Sequence, residues 1–396
     1  MLVRQGLEVI PTKEYHKRLV LDLIRTQYPI SRTQIAEITR LNKATISSIV
    51  TEFISKGVVA EIGSATSSVG RRPILLGFVP DSAYVIGLVV YVDYIHVAVT
   101  NLEGQIVWEV KRELYNRSTD EVLSTMVGGI TEALEHKASR ASLGVVAIGV
   151  GVPALVDFES GTIIHSPNLH LSSINLKQYL EMMFSIPTFV DNSANVAAFG
   201  EKLFGVAKRF NHFVYVSVST GIGVGIFMNG QLQRGAAGFA GELGHMVVEP
   251  RGLKCSCGGT GCWEMYGSLK ALYRQVEDHV KDRLPDYHPD VLNEVVQAVQ
   301  REDNWALEGL YYIAYYLGIG ISNIVNIFNP EAVIIGNKIT PLAKWIRPMV
   351  ETALRTRCST KLVDPLHLII PENGENTVVI GAASLGIDGF IEDITR

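Results

Sequence analysis

Three of the four cysteines in this 396-residue chain lie within eight residues of one another. They are Cys255, Cys257 and Cys262, in the glycine-rich run LKCSCGGTGCWE. Three close thiols could form a disulfide, a redox pair or a metal clamp, but a redox pair usually has the spacing C-x-x-C, which this run lacks. His245 lies ten residues before the first of them. Three cysteines and one histidine are a composition typical of closed, tetrahedral zinc sites, which favours the metal clamp.

Length and composition also favour a metal clamp over a disulfide. The chain is long enough for two or three domains. The N-terminus has no signal-peptide pattern, and the apolar runs VIGLVVYV and VVAIGVGVP are too short or too broken to span a bilayer. We therefore expect a cytoplasmic protein, and a reducing cytoplasm disfavours structural disulfides. Cys358 lies far from the cluster and is expected to be a buried or idle thiol.

Charge is distributed unevenly along the chain. Residues 1–80, which we call the head, carry 11 basic and 6 acidic side chains, whereas the rest, the body, carries 24 basic and 34 acidic ones. A basic head on an acidic body suggests that the head alone contacts nucleic acid.

The head contains three helical patterns. The first, KEYHKRLVLDLIRTQ, places Tyr15, Leu19 and Leu23 on one apolar stripe. The second begins after Ser31, which forms a capping box with Gln34. We expect the head to fold separately from the body.

The third pattern begins after Asn42 as N-cap and ends at Gly57. Only Leu41 separates the second pattern from this cap, which is helix-turn-helix spacing. The residues predicted to be buried in this helix are Ile46, Ile49, Val50, Phe53 and Ile54.

The third helix is the candidate DNA reader. Short polar side chains let the backbone approach a major groove, where hydroxyls meet base edges and a lysine meets phosphate. The hairpin that follows, VVAEIGSATSSVGRRPILLGF, has the pattern of a wing whose arginines could enter a minor groove or clamp phosphates. The predicted DNA-binding residues are Arg32, Lys43, Ala44, Thr45, Ser47, Ser48, Thr51, Arg71 and Arg72. The alternative is a small helical bundle with a hairpin.

From Tyr84 onward, strand patterns alternate with helical ones to the end of the chain. This alternation predicts an α/β architecture in two lobes. One long pattern, residues 305–328, is rich in Tyr and Ile and is expected to be a core helix rather than an interface.

The chain resembles the ROK family of repressors, open reading frames and sugar kinases over nearly its whole length. The runs that carry the resemblance are GVGVP (149–153), SPNL (166–169), DNSANVAAFGE (191–201), STGIGVGI (219–226), GELGH (241–245) and CSCGGTGCWE (255–264). The runs LNKATISS, GRRP, VDYI and GCWE are most similar to the bacterial xylose repressors of that family.

This resemblance implies a fold, a domain organisation and a set of site residues. The fold is an N-terminal winged helix-turn-helix followed by a two-lobed, actin-like and sugar-kinase-like (ribonuclease H-like) α/β body. The implied domains are the DNA-binding domain 1–80, the first lobe 81–190, and the second lobe 191–396, whose C-terminal helix returns to the first lobe. The implied zinc ligands are His245, Cys255, Cys257 and Cys262, and the implied sugar-binding residues are Asn168, Asn192, Ser193, Glu242, His245 and Glu264.

Two features that the kinases of the family need are missing. Ser193 stands where the kinases have an aspartate base, and serine at neutral pH does not take a proton as a placed carboxylate does. The phosphate loop D-x-G-G-T-K, aligned without gaps, falls on a run that offers neither the magnesium-binding aspartate nor the glycines. Its positions here are Val89, Tyr91, Val92, Asp93 and Tyr94. The glycine-rich STGIGVGI run survives, and its glycines could simply serve a tight hairpin.

We therefore predict a sugar-responsive repressor without enzymatic activity and with zinc as cofactor. It is expected to bind a palindromic operator as a homodimer or higher homo-oligomer, and an inducer sugar is expected to release it from the operator. It is not expected to contact membranes. A sugar kinase with a DNA-binding head, or a repressor controlled by a protein partner, are the alternatives. The replacement at Ser193 alone does not distinguish a pentose inducer from a hexose inducer, so glucose is retained as an alternative. The family resemblance favours D-xylose.

Overall fold

A computed structural model of the chain describes residues 3–5, 8–10, 12–64, 73–137, 141–166, 169–280, 289–371 and 374–396. The strands are β1 (Val3–Gln5), β2 (Glu8–Ile10), β3 (Ile30–Ser31), β4 (Val59–Ser64), β5 (Ile74–Phe78), β6 (Tyr84–Val90), β7 (Tyr94–Asn101), β8 (Ile106–Glu113), β9 (Val145–Val152), β10 (Leu155–Asp157), β11 (Thr162–Ser166), β12 (Leu171–Asn175), β13 (Thr188–Asn192), β14 (Phe213–Val218), β15 (Ile222–Met228), β16 (Gln231–Leu232), β17 (Ala332–Gly336) and β18 (His367–Ile369). The helices are α1 (Thr12–Gln27), α2 (Arg32–Thr39), α3 (Lys43–Ser55), α4 (Thr119–Lys137), α5 (Leu176–Phe184), α6 (Ser193–Leu203), α7 (Glu264–Gly267), α8 (Leu269–Val280), α9 (Pro289–Gln300), α10 (Asn304–Phe328), α11 (Ala343–Arg357), α12 (Thr360–Val363) and α13 (Gly374–Thr395).

The head contains the three predicted helices and a hairpin. The capping box of Ser31 and Gln34 begins α2, and the Asn42 side chain accepts a hydrogen bond from the Thr45 N–H at 2.8 Å to begin α3. Strands β4 and β5 pair antiparallel and β3 joins them, in the order β3-β5-β4. The side chain of Ile54, predicted to be buried, is half-buried.

The apolar stripe predicted for α1 was wrong. Tyr15 is exposed, and Leu19 and Leu23 are only half-buried. The fully buried apolar side chains of α1 are Val20, Leu21 and Ile24. That face is buried because α1 packs not only on the head but also on α13 at the far end of the chain.

The body has the predicted two-lobed α/β architecture. The first lobe is built on a five-stranded sheet in the order β13-β9-β6-β7-β8, and side chains of α4 and α5 belong to its apolar core. The second lobe is built on a sheet in the order β16-β15-β14-β17-β18, against which α8, α9, α10 and α11 form the largest core. Strands β10, β11 and β12 form a small antiparallel sheet beside the first lobe.

Two helices join the lobes. Helix α6 contacts β9 and β13 of the first sheet and β14 and β15 of the second, and α13 lies against α6, β6 and β9. The α6–α13 contact is so close that a Cβ atom added to Gly381 would overlap the Val196 carbonyl oxygen. The boundaries predicted at 80/81 and 190/191 stay predictions.

Head and body share one hydrophobic core. The buried side chains of α1 and α3 form a single cluster with Val85, Ala147, Ile387 and Ile391 of the body. This continuous core differs from the expectation of a head that folds separately. The sequence patterns of the head could not reveal its contact with α13, because Gln27 at the end of α1 and Gly374 at the start of α13 are 347 residues apart.

Helix α10 is long and apolar enough to cross a membrane by length and composition, a possibility that the shorter runs weighed in the sequence did not raise. Just over half of its most apolar window, 56%, is buried, and Ile313, Leu317 and Ile321 lie in the second-lobe core. One face of α10 is therefore core, as predicted, while Tyr311 and Tyr315 are exposed.

Candidate functional site

The predicted metal ligands converge. His245 ends a short 3₁₀-helix (Glu242–His245), and the three cysteines lie on the loop that follows. Gly258 and Gly261 have φ angles of +90° and +78°, which glycine adopts without strain, and they turn the loop back on itself. One donor atom from each of His245, Cys255, Cys257 and Cys262 lies within 4.8 Å of the other three.

The donor distances fit a tetrahedral zinc ion. Zn–S bonds of about 2.3 Å place donors roughly 3.7 Å apart along the edges of a tetrahedron. The Sγ atoms of Cys257 and Cys262 are 3.6 Å apart, and Cys255 Sγ is 3.6 Å from His245 Nδ1. The four residues could therefore hold zinc with only local adjustment.

The thiol pKa values differ across the cluster. Burial raises the pKa of Cys255 to about 12 and raises that of Cys262, whereas a backbone hydrogen bond from Gly259 lowers the pKa of Cys257. A dication would favour the thiolate form of all three, so metal binding would release protons.

A buried tryptophan fixes the cluster to the second-lobe core. Trp263, directly after Cys262, is fully buried and donates its indole N–H to the Tyr316 carbonyl oxygen of α10 at 2.8 Å. The ring lies so close to Gly320 that a Cβ atom there would overlap it. The cluster is thus anchored on a rigid helix.

The two glutamates beside the cluster have different surroundings. Glu242 Oε2 lies 3.7 Å from His245 Nε2, the ring nitrogen that faces away from the cysteines, and desolvation raises the pKa of its carboxyl. Glu264 Oε1 is instead 3.1 Å from Cys255 Sγ and 3.6 Å from His245 Nδ1. Glu242 therefore borders the adjoining cleft, while Glu264 lies against the cluster itself.

This cleft lies between the lobes. Asn192 caps α6 by accepting from the Ala194 N–H at 2.8 Å, and it donates to the Ala154 carbonyl oxygen at 2.9 Å. The next residue, Ser193, is half-buried. Asn168 lies outside the described residues. The cleft is lined by Ala154, Leu155, Val156, Asn192, Asn195, Val224, Gly238, Phe239, Ala240 and Glu242.

Sequence reasoning missed an ion pair beside the cleft. Arg234 donates to Asp191 Oδ2 from Nε at 3.1 Å and from Nη2 at 2.7 Å, and its guanidinium lies 3.7 Å from the centre of the Phe158 ring. Asp191 is almost fully buried and also accepts from Asn195 at 2.9 Å. The only signal was an acidic residue at the end of a buried strand, since its partner lies 43 residues away.

Side chains fill the position of the aligned phosphate loop. Val89 is fully buried in β6, and the rings of Tyr91 and Tyr94 stack with centroids 4.5 Å apart. Lys338 from the second lobe lies over both rings and donates to both carboxylate oxygens of Asp93 at 3.0 Å. The glycine-rich run STGIGVGI (219–226) forms the tight turn between β14 and β15 and the first part of β15.

The candidate DNA surface is the outer face of α3. Lys43, Ala44, Ser47, Ser48 and Thr51 are exposed and Thr45 is half-buried. No ion-pair partner of Lys43 occurs among the described residues, whereas Arg32 pairs with Glu61 at 3.0 Å. Arg71 and Arg72 lie outside the described residues.

Comparisons with known proteins, by sequence and by structure, point to one family. The family model described as the ROK family matches residues 85–388. The chain is 37% identical to a protein named xylose repressor from Bacillus subtilis strain 168, over 97% of each chain. It is similar to the crystal structure of a ROK family transcriptional regulator, a homologue of the Escherichia coli Mlc protein, with a TM-score of 0.81, 26% identity and coverage of 97% of this chain and 98% of that one. A ROK family glucokinase from Streptomyces griseus, in complex with glucose and AMPPNP, matches with a TM-score of 0.67 and 26% identity over 77% of this chain and all of that one. The chain belongs to the ROK family.

Proposed function

We propose that the protein is a cytoplasmic, sugar-responsive transcriptional repressor whose inducer is D-xylose. The observation that carries the proposal is the extent of the similarity to proteins named xylose repressor, which spans head and body alike. The glucokinase match, by contrast, covers only 77% of this chain.

The head supplies operator binding. The helix-turn-helix of α2 and α3, with the β4–β5 hairpin as its wing, presents α3 to the major groove. Lys43 contacts phosphate, while Ser47 and Thr45 read base edges, a division that is supported by the exposure of the α3 surface. By sequence, Arg71 and Arg72 stand at the returning edge of the predicted wing, and we propose that they enter a minor groove or clamp phosphates. Two heads of a homodimer dock on a palindromic site, one turn of duplex or a multiple of it apart.

The body supplies the sugar site. His245, Cys255, Cys257 and Cys262 hold a structural zinc ion, which fixes the imidazole so that its Nε2 faces the cleft. Asn168, Asn192, Ser193, Glu242, His245 and Glu264 contact sugar hydroxyls. The short distance between Glu242 and His245 Nε2 supports a shared hydroxyl partner for these two.

The body has lost phosphotransfer. Ser193 lacks the carboxylate that would take the proton of a hydroxyl. The stacked Tyr91 and Tyr94, with Lys338 bound to Asp93, occupy the space where backbone amides would cradle phosphates. This filled loop supports a sensor and counts against the kinase alternative.

Ser193 also bears on the choice of sugar. An aspartate at this position in the kinases addresses the primary hydroxyl at C6 of a hexose, and serine offers that hydroxyl an uncharged hydrogen bond. A pentose has no C6 and leaves nothing unpaired there. Together with the relatives' names, this favours D-xylose over glucose.

Induction is a shift between two populations. Sugar binding favours one arrangement of the lobes, and operator DNA favours the other. A ligand shifts such an equilibrium only through unequal affinity for the two states, so sugar and operator weaken each other's binding equally.

The test begins with duplexes selected from a random library by the purified protein. We expect a palindromic site, and D-xylose should weaken its binding at least about fivefold while D-glucose leaves it unchanged. Release by glucose alone would replace the sugar but keep the repressor. Phosphate transfer from ATP to a sugar would support the kinase alternative, and release only by a captured protein, insensitive to sugars, would support control by a partner.

A further inference from the structure

We infer that Lys17 and Lys56 are positioning residues that fasten the reader helix α3 to the end of α13, and that this junction transmits the sugar signal to the operator. The inference rests on the proposed function. Neither lysine belongs to the DNA surface or to the sugar site.

The junction gathers two ammonium groups around one carboxylate. Glu52, on α3, accepts through Oε1 from Lys17 Nζ at 2.6 Å and from Lys56 Nζ at 2.9 Å. The same two ammonium groups reach the end of α13, where Lys56 donates to the Ile394 carbonyl oxygen at 2.6 Å and Lys17 to that of Arg396 at 3.3 Å.

Burial makes the junction specific. Lys17 is only 4% exposed, and a lysine is rarely buried unless its charge is paired. Carbonyl groups at a helix C-terminus lack helical partners and carry partial negative charge, so cations are favoured there. The two lysines thus satisfy both the end of α13 and the α3 carboxylate. A third head–body pair, Arg18–Asp388 at 2.5 Å, is more exposed than Lys17 and about as exposed as the Lys56–Glu52 pair.

The other part of α13 contacts the helix that begins at the sugar site. Asn192 and Ser193 begin α6, which packs against α13 with no side chain between Gly200 and the Gly381 backbone. Because close-packed interiors transmit strain, we expect a displacement of α6 to be passed on to α13. A displacement of α6 on sugar binding therefore reaches Ile394 and, through the lysines, the reader helix.

The experiment compares Lys17→Met and Lys56→Met with wild type and with Lys13→Met, a matched control on the exposed side of α1. The measured quantity is the release factor, the operator Kd in saturating D-xylose divided by the Kd without sugar. We expect the release factor of both junction variants to fall at least about fivefold toward one. Lys13→Met should keep the wild-type factor, and Lys56→Arg should restore most of it.

A second readout separates coupling from stability. By reciprocity, operator DNA weakens D-xylose binding by the same factor, so calorimetry with and without operator should show the same loss in the variants. A residue that only stabilises the fold would lower the melting temperature and leave both factors unchanged, which would overturn the inference. Because Lys56 is more exposed than Lys17, Lys56→Met decides the matter should Lys17→Met fail to fold. A wild-type protein that ignores D-xylose would instead refute the proposed function.

Discussion

At the scale of single residues, His245 links the cysteine cluster to the wall of the cleft. Its Nδ1 faces Cys255 and its Nε2 faces Glu242, which lines the cleft. A ring that is fixed by metal on one side presents its other nitrogen in a single orientation. Loss of the metal should therefore impair sugar recognition, because the His245 ring would lose its fixed orientation even if the protein stays folded.

Cys257→Ser tests this dependence. We expect about one zinc per chain in wild type and well under one in the variant, because a serine hydroxyl is a poor replacement for a thiolate ligand. D-xylose should no longer release the operator from Cys257→Ser, while operator binding itself persists, since α3 is built from head residues far along the chain from the cluster. Elemental analysis and operator titration measure the two effects.

The matched control is Cys358→Ser, a cysteine whose Sγ lies 3.5 Å from the Ser322 carbonyl oxygen, outside the cluster. It should keep both its zinc and its sugar response. Wild-type protein that is freshly purified and lacks zinc would contradict the metal assignment itself.

Sequence spacing predicted the convergence of the four candidate donors because they lie within 18 residues, three of them on one glycine-rich loop. It did not predict that Glu264 turns toward Cys255, since a side-chain direction depends on what surrounds it. The Asp191–Arg234 pair and the Asp93–Lys338 pair also escaped prediction, because their partners are distant in sequence and meet only when the lobes assemble.

At the scale of elements, local signals were sufficient where an element depends on its own residues. The caps at Ser31 and Asn42 appear as predicted because the hydrogen bonds involved span three residues. The buried face of α1 was not predictable in this way. Lys17 lies on that buried face. From sequence alone a lysine is assigned to the exposed face, because its partner at the end of α13 is not apparent.

The contact between α6 and α13 leads to an element-scale prediction. Gly381→Ala should lower the free energy of unfolding by about 1–3 kcal/mol, because the new methyl group overlaps the Val196 carbonyl oxygen of α6 and forces the helices apart. Denaturant unfolding monitored by circular dichroism gives the difference.

Gly128→Ala in α4 is the matched control, because a Cβ atom there meets nothing within 4 Å. The same substitution at this site should instead stabilise the protein by about 0.4–1 kcal/mol. Equal effects at both glycines would mean that helix propensity, rather than close packing, sets the outcome at Gly381.

At the scale of the whole molecule, the chain has the two-lobed body of its family, and two ion pairs connect the lobes. Lys338 of the second lobe is bonded to Asp93 of the first across the place where the kinase loop would lie, with both groups largely buried. Arg234, from the loop after β16, pairs with Asp191 at the end of β13. Two ion pairs between protein groups thus connect the lobes, one of them at the position aligned with the kinase phosphate loop.

This arrangement predicts that a carboxylate at position 193 does not by itself confer sugar-kinase activity. Ser193→Asp places a carboxylate at the start of α6, yet the stacked Tyr91 and Tyr94 and the Lys338–Asp93 pair still occupy the position aligned with the kinase phosphate loop. Val89 also offers no oxygen for magnesium. With ATP, magnesium and a panel of pentoses and hexoses, both wild type and Ser193→Asp should show ADP formation at the background rate without protein. Ser193→Asn serves as the uncharged control, and a thermal melt by circular dichroism that matches wild type establishes that each variant is folded. Sugar-dependent ADP formation by Ser193→Asp would mean that the filled loop can open to admit ATP, and that a single carboxylate separates this repressor from its kinase relatives.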